Sequence, residues 1–166
     1  MDNEFKDKAT LLKHAIQGEI EGFTYYDLLS KLATNEDAVR RLENLRDDEK
    51  RHWNILTDMF NKHVGGEIGE LPDQGVSALA EAFDKGRLKN LKSEMEYINL
   101  ALEVEMATMK FYKSGAESID DPEFKDVLYR LADEENGHYE ILMAEKSALA
   151  GNYFWFSADG TAPMED

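Results

Sequence analysis

Apolar residues return every three or four positions along four long stretches of the chain, the spacing that lines side chains up on one face of an α-helix. The first stretch runs from about Glu4 to Leu32, with Leu12, Ile16, Phe23 and Tyr26 in line. The second runs from about Glu36 to Lys62 and carries Leu42, Leu45, Leu56 and Met59. The third opens at Ser93, which forms a capping-box pattern with Glu96, and continues to about Ser118 through Ile98, Leu102, Met109 and Tyr112. The fourth starts with Asp121 as N-cap and Pro122 at the first helical position, and ends near Gly151 after Leu128, Leu131 and Leu142.

Few polar residues separate the first two stretches, and few separate the last two, so each pair is predicted to fold as an antiparallel hairpin. Between the pairs lies a segment of about thirty residues, roughly 63–92, that includes "VGGEIGELPDQG". It is too rich in Gly and Pro for one helix, although "SALAEAFDK" has the pattern of a short one. At ~1.5 Å per residue the second helix is roughly 40 Å long, and a crossover of this size can return the chain to its far end. The expected fold is all-α, a four-helix bundle of two antiparallel hairpins joined by one long crossover, the ferritin-like arrangement. Residues 1–150 form the bundle on this reading. Residues 151–166 form an aromatic, acidic tail in which Tyr153, Phe154, Trp155 and Phe156 cap the bundle or a neighbouring subunit.

The two hairpins overlay without a gap when the sequence is shifted by 86 positions. Leu42 and Leu45 fall on Leu128 and Leu131, Ile55 and Leu56 on Ile141 and Leu142, and Tyr26 on Tyr112. The ionisable residues that interrupt the apolar stripes fall in register as well. Glu19 matches Glu105, Glu49 matches Glu135, and His52 matches His138. Four carboxylates and two imidazoles therefore point into the bundle. Burying them unpaired costs several kcal/mol or their charge.

A pair of metal ions resolves that cost. Glu and His at i and i+3 lie on one helix face and can share an ion, and two divalent cations balance four carboxylates. Oxygen-rich, imidazole-containing ligation without thiolate suits iron or manganese. The rival arrangement is a bundle whose buried Glu and His hydrogen-bond one another and bind nothing. Asp48 and Glu134 each precede the Glu of a Glu-x-x-His pair and could orient a histidine across the bundle, but their pattern is read as that of plain solvated acids.

Composition narrows the picture. The net charge of −16 argues against nucleic acid, whose phosphates need clustered Lys and Arg. It fits a solvated acidic surface, or a field that draws cations inward. With no cysteine, the chain holds no disulfide, zinc thiolate site, iron–sulfur cluster or rubredoxin-type centre. The charged start and the lack of an apolar run of ~20 residues predict no membrane span and a cytoplasmic protein.

"EIEGFTYY" with "DDEKRH", then "EMATMKFY" with "DEENGH", resembles the rubrerythrin branch of the ferritin-like superfamily, over roughly residues 9–147. The resemblance implies two iron ions, manganese being possible, held by Glu19, Glu49, His52, Glu105, Glu135 and His138, with Glu49 and Glu135 bridging. Tyr26 and Tyr112 match a family tyrosine two turns from the metals, where each would donate to a ligand carboxylate; a core tyrosine is the alternative. Two departures stand out. Thr108, whose repeat partner is Gly22, stands where rubrerythrins usually carry an additional carboxylate, and the usual rubredoxin domain is absent.

The function implied is an oxidoreductase that reduces hydrogen peroxide or dioxygen with electrons from an external donor of rubredoxin or reductase type, in a homodimer or higher homo-oligomer. The alternatives are a ferroxidase that stores or transfers iron, and a non-catalytic bundle in which metal is a structural staple.

Overall fold

The computed structural model describes residues 7–75, 90–149, 151 and 153–156. Four helices make up the described chain: α1 (Lys8–Leu32), α2 (Glu36–His63), α3 (Glu94–Ser118) and α4 (Pro122–Ala148). The fold is an all-α, ferritin-like four-helix bundle. None of the described helices is long and apolar enough to cross a membrane.

The helix ends follow local chemistry. Asp7 caps α1 by accepting from the Thr10 amide, which starts the helix later than the apolar pattern suggested. Asn35 caps α2, and Ser93 and Glu96 form a reciprocal capping box on α3. Asp121 caps α4, with Pro122 just inside it. That helix stops at Ala148, short of the expected Gly151. After α2, Gly65 adopts a φ of +82°, a left-handed turn that glycine enters without steric cost. The predicted short helix in "SALAEAFDK" lies outside the described residues.

Contacts fix the helix directions. Arg46 reaches Asp27 and His52 reaches Glu19, so α2 runs antiparallel to α1. Tyr26 bonds Glu105 while Tyr112 bonds Glu19, which sets α1 antiparallel to α3. His52 meets Glu134 and His138 meets Asp48, so α2 and α4 are antiparallel too. Each of these cross-bundle pairs maps onto its counterpart through the 86-residue shift. The sequence repeat is thus an approximate twofold axis through the bundle.

The apolar core is split in two. One cluster packs Tyr25, Tyr26, Leu29, Leu42, Leu45, Ile98 and Leu142. The other packs Leu11, Leu12, Ile16, Leu56, Phe60, Phe124 and Leu128. On every helix the Glu and His residues of the repeat lie between the two. The repeat is imperfect at the surface: Ile55 packs against the core, whereas its counterpart Ile141 is exposed. Phe23 and Met109, expected in the stripes, are only half-buried.

Of the tail, the described residues 153–156 lie against one end of the bundle. Trp155 and Phe156 are buried in the first cluster. The Trp155 amide donates to Glu94 Oε2 at 2.8 Å, its indole N–H donates to Glu145 Oε2 at 3.0 Å, and its carbonyl accepts from the Thr34 amide at 2.7 Å. Trp155→Ala empties this socket and takes the indole donor from buried Glu145, while the backbone amide bond to Glu94 stays available. Truncating a buried tryptophan typically costs ~3–5 kcal/mol. Thermal unfolding is expected to show a melting temperature lower by on the order of 10 °C.

Candidate metal centre

Each helix supplies the layer between the two apolar clusters. α1 contributes Glu19 and α3 contributes Glu105, while α2 and α4 each contribute a Glu and a His one turn apart, Glu49 with His52 and Glu135 with His138. All six are buried. They fall into two overlapping groups, Glu19–Glu49–His52–Glu135 and Glu49–Glu105–Glu135–His138, within each of which one donor atom per residue lies within 4.8 Å of the others. Glu49 and Glu135 belong to both. The structure thus brings together all six residues singled out from the sequence.

The imidazoles face inward through Nδ1. His52 Nδ1 lies 2.9 Å from Glu135 Oε1 and 3.6 Å from Glu19 Oε1. His138 Nδ1 lies 3.3 Å from Glu49, 3.4 Å from Glu135 and 3.5 Å from Glu105. The two rings stack near the axis with centroids 5.7 Å apart. Among the six residues, Oε2 of Glu19, Oε2 of Glu105 and Nδ1 of His138 have no hydrogen-bond partner. The donor set and its vacant lone pairs fit a pair of hard or borderline divalent cations.

Electrostatics report the same crowding. Burial, and then repulsion from Glu135 and Glu19, push the Glu49 carboxyl well above its ordinary range. Burial and the charges of Glu105 and Glu19 do the same to Glu135. Burial also acts to raise Glu19, but hydrogen bonds from Glu49, His52 and Tyr112 outweigh it and bring that group down to about 2. For His52 burial favours the neutral ring, yet Glu19, Glu49 and Glu134 lift it to about 9. His138 is likewise raised against its burial, by Asp48 and the glutamates around it. The cluster therefore holds protons where it lacks cations.

Tyr26 and Tyr112 both bond the cluster. Tyr26 Oη donates to Glu105 Oε1 at 2.5 Å, and Tyr112 Oη donates to Glu19 Oε1 across the axis. Burial, then the adjacent carboxylates, raise both phenols, so they keep their protons at neutral pH.

Asp48 and Glu134 are not plain solvated acids, contrary to the sequence reading. Although partly exposed, Asp48 lies 3.0 Å from His138 Nε2, and Glu134 meets His52 Nε2. Each fixes the outer nitrogen of a histidine on the opposite helix and leaves Nδ1 to the cluster. Arg51 braces the pair, 2.7 Å from Glu134 and 3.5 Å from Asp48. The signal was available: Asp48 and Glu134 stand in register through the repeat. Glu134→Gln is expected to weaken binding of a divalent ion ~10–100-fold, measured by calorimetric titration, because outer-shell carboxylates carry effects of that size.

Neither departure position adds a seventh acid. Thr108 donates its hydroxyl back to the Val104 carbonyl at 2.9 Å. A Cβ built on Gly22 would stand 3.1 Å from Glu49 Oε2, so the missing side chain lets α1 approach the Glu49 carboxylate closely.

A family model described as rubrerythrin matches residues 10–146. An uncharacterized protein, YhjR, of Bacillus subtilis (strain 168) is 28% identical over 127 residues, covering 76% of this chain and 78% of its own length. A solved structure of a hypothetical protein from Pyrococcus furiosus superposes with a TM-score of 0.70 at 26% identity, covering 87% of this chain and 90% of that one.

Proposed function

Because the chain belongs to the rubrerythrin family, we propose that its Glu–His cluster binds two iron ions, with manganese the alternative, and reduces hydrogen peroxide or dioxygen using electrons from an external donor. The observation that carries this reading is the pair of four-residue groups sharing Glu49 and Glu135. Glu19 and His52 would hold one ion, Glu105 and His138 the other, and Glu49 and Glu135 would bridge them.

When bound, a pair of redox-active ions supplies the two electrons that breaking an O–O bond requires. The chain's own groups supply the rest. Reduction of peroxide to two waters consumes two protons along with those two electrons. The Tyr26 and Tyr112 hydroxyls hold protons against Glu105 and Glu19, on opposite sides of the axis. Apolar clusters above and below exclude bulk water from the layer. Asp48 and Glu134 keep each imidazole aimed inward. The chain has no cysteine with which to hold a thiolate iron centre, and on this reading the electrons come from an external donor of rubredoxin or reductase type.

The test adds peroxide to the anaerobic ferrous protein in a stopped-flow spectrometer, then measures steady peroxide consumption with a reductase and its electron source. Rapid oxidation and sustained turnover are expected, from a homodimer or other small homo-oligomer on size exclusion. Absence of any oxidation would leave a structural staple. A shell of some two dozen chains retaining many irons per chain would favour storage.

A further inference from the structure

We propose that a line of buried aromatic side chains carries a single oxidising equivalent from the Glu–His cluster to Trp155. The line begins at Tyr26, whose hydroxyl donates to Glu105 Oε1 at 2.5 Å. The Tyr26 ring lies 5.8 Å from that of Tyr25, centre to centre, and the Tyr25 hydroxyl donates to the Tyr97 carbonyl at 2.6 Å. Tyr97 meets Phe156 edge-on at 5.3 Å, and Phe156 meets Trp155 at 6.2 Å. All five side chains are buried in one core cluster. The indole N–H of Trp155 donates to Glu145 Oε2 at 3.0 Å.

Two features set this line apart from ordinary core packing. The first is that Tyr26 and Trp155, its two ends, both donate to a carboxylate. Losing an electron makes a phenol a strong acid and an indole about as acidic as a carboxylic acid, and Glu105 and Glu145 are each hydrogen-bonded where that proton would go. The second is a control built into the repeat. Tyr112 repeats Tyr26, but its neighbour, 5.9 Å away, is Phe111 in place of Tyr25. A phenyl ring gives up an electron far less readily than a phenol. Phe111 therefore cannot serve as the electron-donating station that Tyr25 is, and the two halves of the repeat differ at this step.

The oxidant is a peroxide-derived one-electron species, left in the cluster when only one of the two reducing electrons has arrived; in this the inference rests on the proposed function. Tyr26 gives that species one electron and passes its phenolic proton to Glu105. Trp155 then returns an electron to Tyr26 through Tyr25, Tyr97 and the Phe156 ring, the last a bridge rather than a station. Glu105 hands the proton back, and the indole proton passes to Glu145. The net change is one electron gained by the oxidant, and one electron and one proton lost from Trp155. Damage moves from the Glu–His cluster to the tail, where half-buried Tyr153 under Arg41 marks the nearby surface.

Two experiments test this, each on the parent protein, on Tyr25→Phe and on Trp155→Phe, variants that keep a ring in each socket. In the first, the metal-free protein meets a freely diffusing ruthenium photo-oxidant, strong enough to drive the line in reverse from the half-buried Tyr153 end. Peptide mass mapping reads oxidation of Tyr26, which is as buried as Trp155 and out of the reagent's direct reach. Oxidised Tyr26 is expected in the parent and several-fold less of it in both variants. An unmodified Tyr26 in the parent, or equal modification in all three, overturns the route. In the second, the ferrous protein receives peroxide in excess over reductant. Oxidation of Trp155 is expected to exceed that of Trp53 and to fall several-fold in Tyr25→Phe, while that variant consumes peroxide normally when reductant is plentiful. Peroxide consumption with Trp155 intact overturns the escape role and leaves the proposed function standing. Oxidised Tyr26 in the first experiment without any peroxide consumption in the second sinks the function and keeps the route.

Discussion

Glu135→Ala is expected to bind at most one divalent ion per chain where the parent binds two. Glu135 belongs to both four-residue groups, and its two oxygens face both imidazoles, Oε1 toward His52 at 2.9 Å and Oε2 toward His138 at 3.4 Å. Removing it takes a donor from both positions at once. It also lowers the negative charge that holds two cations close together. The loss should exceed the ~100-fold upper range typical of changes outside the ligand shell. Glu49→Ala should behave alike, because Glu49 is the other shared residue. Tyr26→Phe removes a hydroxyl that donates to Glu105 but is no ligand itself, and should keep both ions. Elemental analysis after dialysis against manganous salt, with calorimetry for affinity, reads all three. Full two-ion occupancy in either alanine variant would contradict the sharing of Glu49 and Glu135.

Much of this centre was legible because it breaks a rule. Apolar periodicity predicts four helices, and ionisable residues on the seam are visible only as interruptions of it. One Glu-x-x-His would have meant little, but two in register with two further seam glutamates left few alternatives. The pattern could not report distances. Asp48 and Glu134 looked like solvated acids because neither lies on the 3.6-residue apolar seam that marked Glu49, His52, Glu135 and His138. Their bonds cross between α2 and α4, pairs 82 and 90 residues apart in sequence, which no local spacing encodes. Arg51 was overlooked for a similar reason: its repeat counterpart is Gly137, so the internal symmetry that revealed the other residues was silent there. Tyr25 lay off the predicted stripe beside Tyr26. Its burial depends on Tyr97 and on the tail folding back over the bundle end, both of them tertiary events.

The metal-free protein is expected to lose stability as pH rises, and metal to restore more of it the higher the pH. Glu49 and Glu135 bind protons far more tightly in the fold than in the open chain, whose carboxyls titrate near 4.5. His52 moves from 6.5 to about 9. A group raised on folding contributes its stability below its unfolded value and loses it as pH climbs through the folded one. The two glutamates act from about pH 5 upward and His52 between about 6.5 and about 9, all in the same sense, at ~1.4 kcal/mol for each pKa unit. Glu19, drawn down to about 2, contributes above 4.5 and fades only in acid, outside this window. Cations take the place of the bound protons, so each ion that enters releases protons and binds tighter at higher pH. At a hundredfold excess over its dissociation constant one site adds ~2.7 kcal/mol. Two sites together should raise the melting temperature by roughly 10–20 °C. Calorimetric melts with and without manganous ion, from about pH 5 to about pH 8, should show the metal-free transition falling while the gap between the two curves widens. A metal-free transition that climbs with pH would show that the buried acids are not holding protons. A gap that stays constant would mean that cations bind elsewhere, without displacing protons from the cluster.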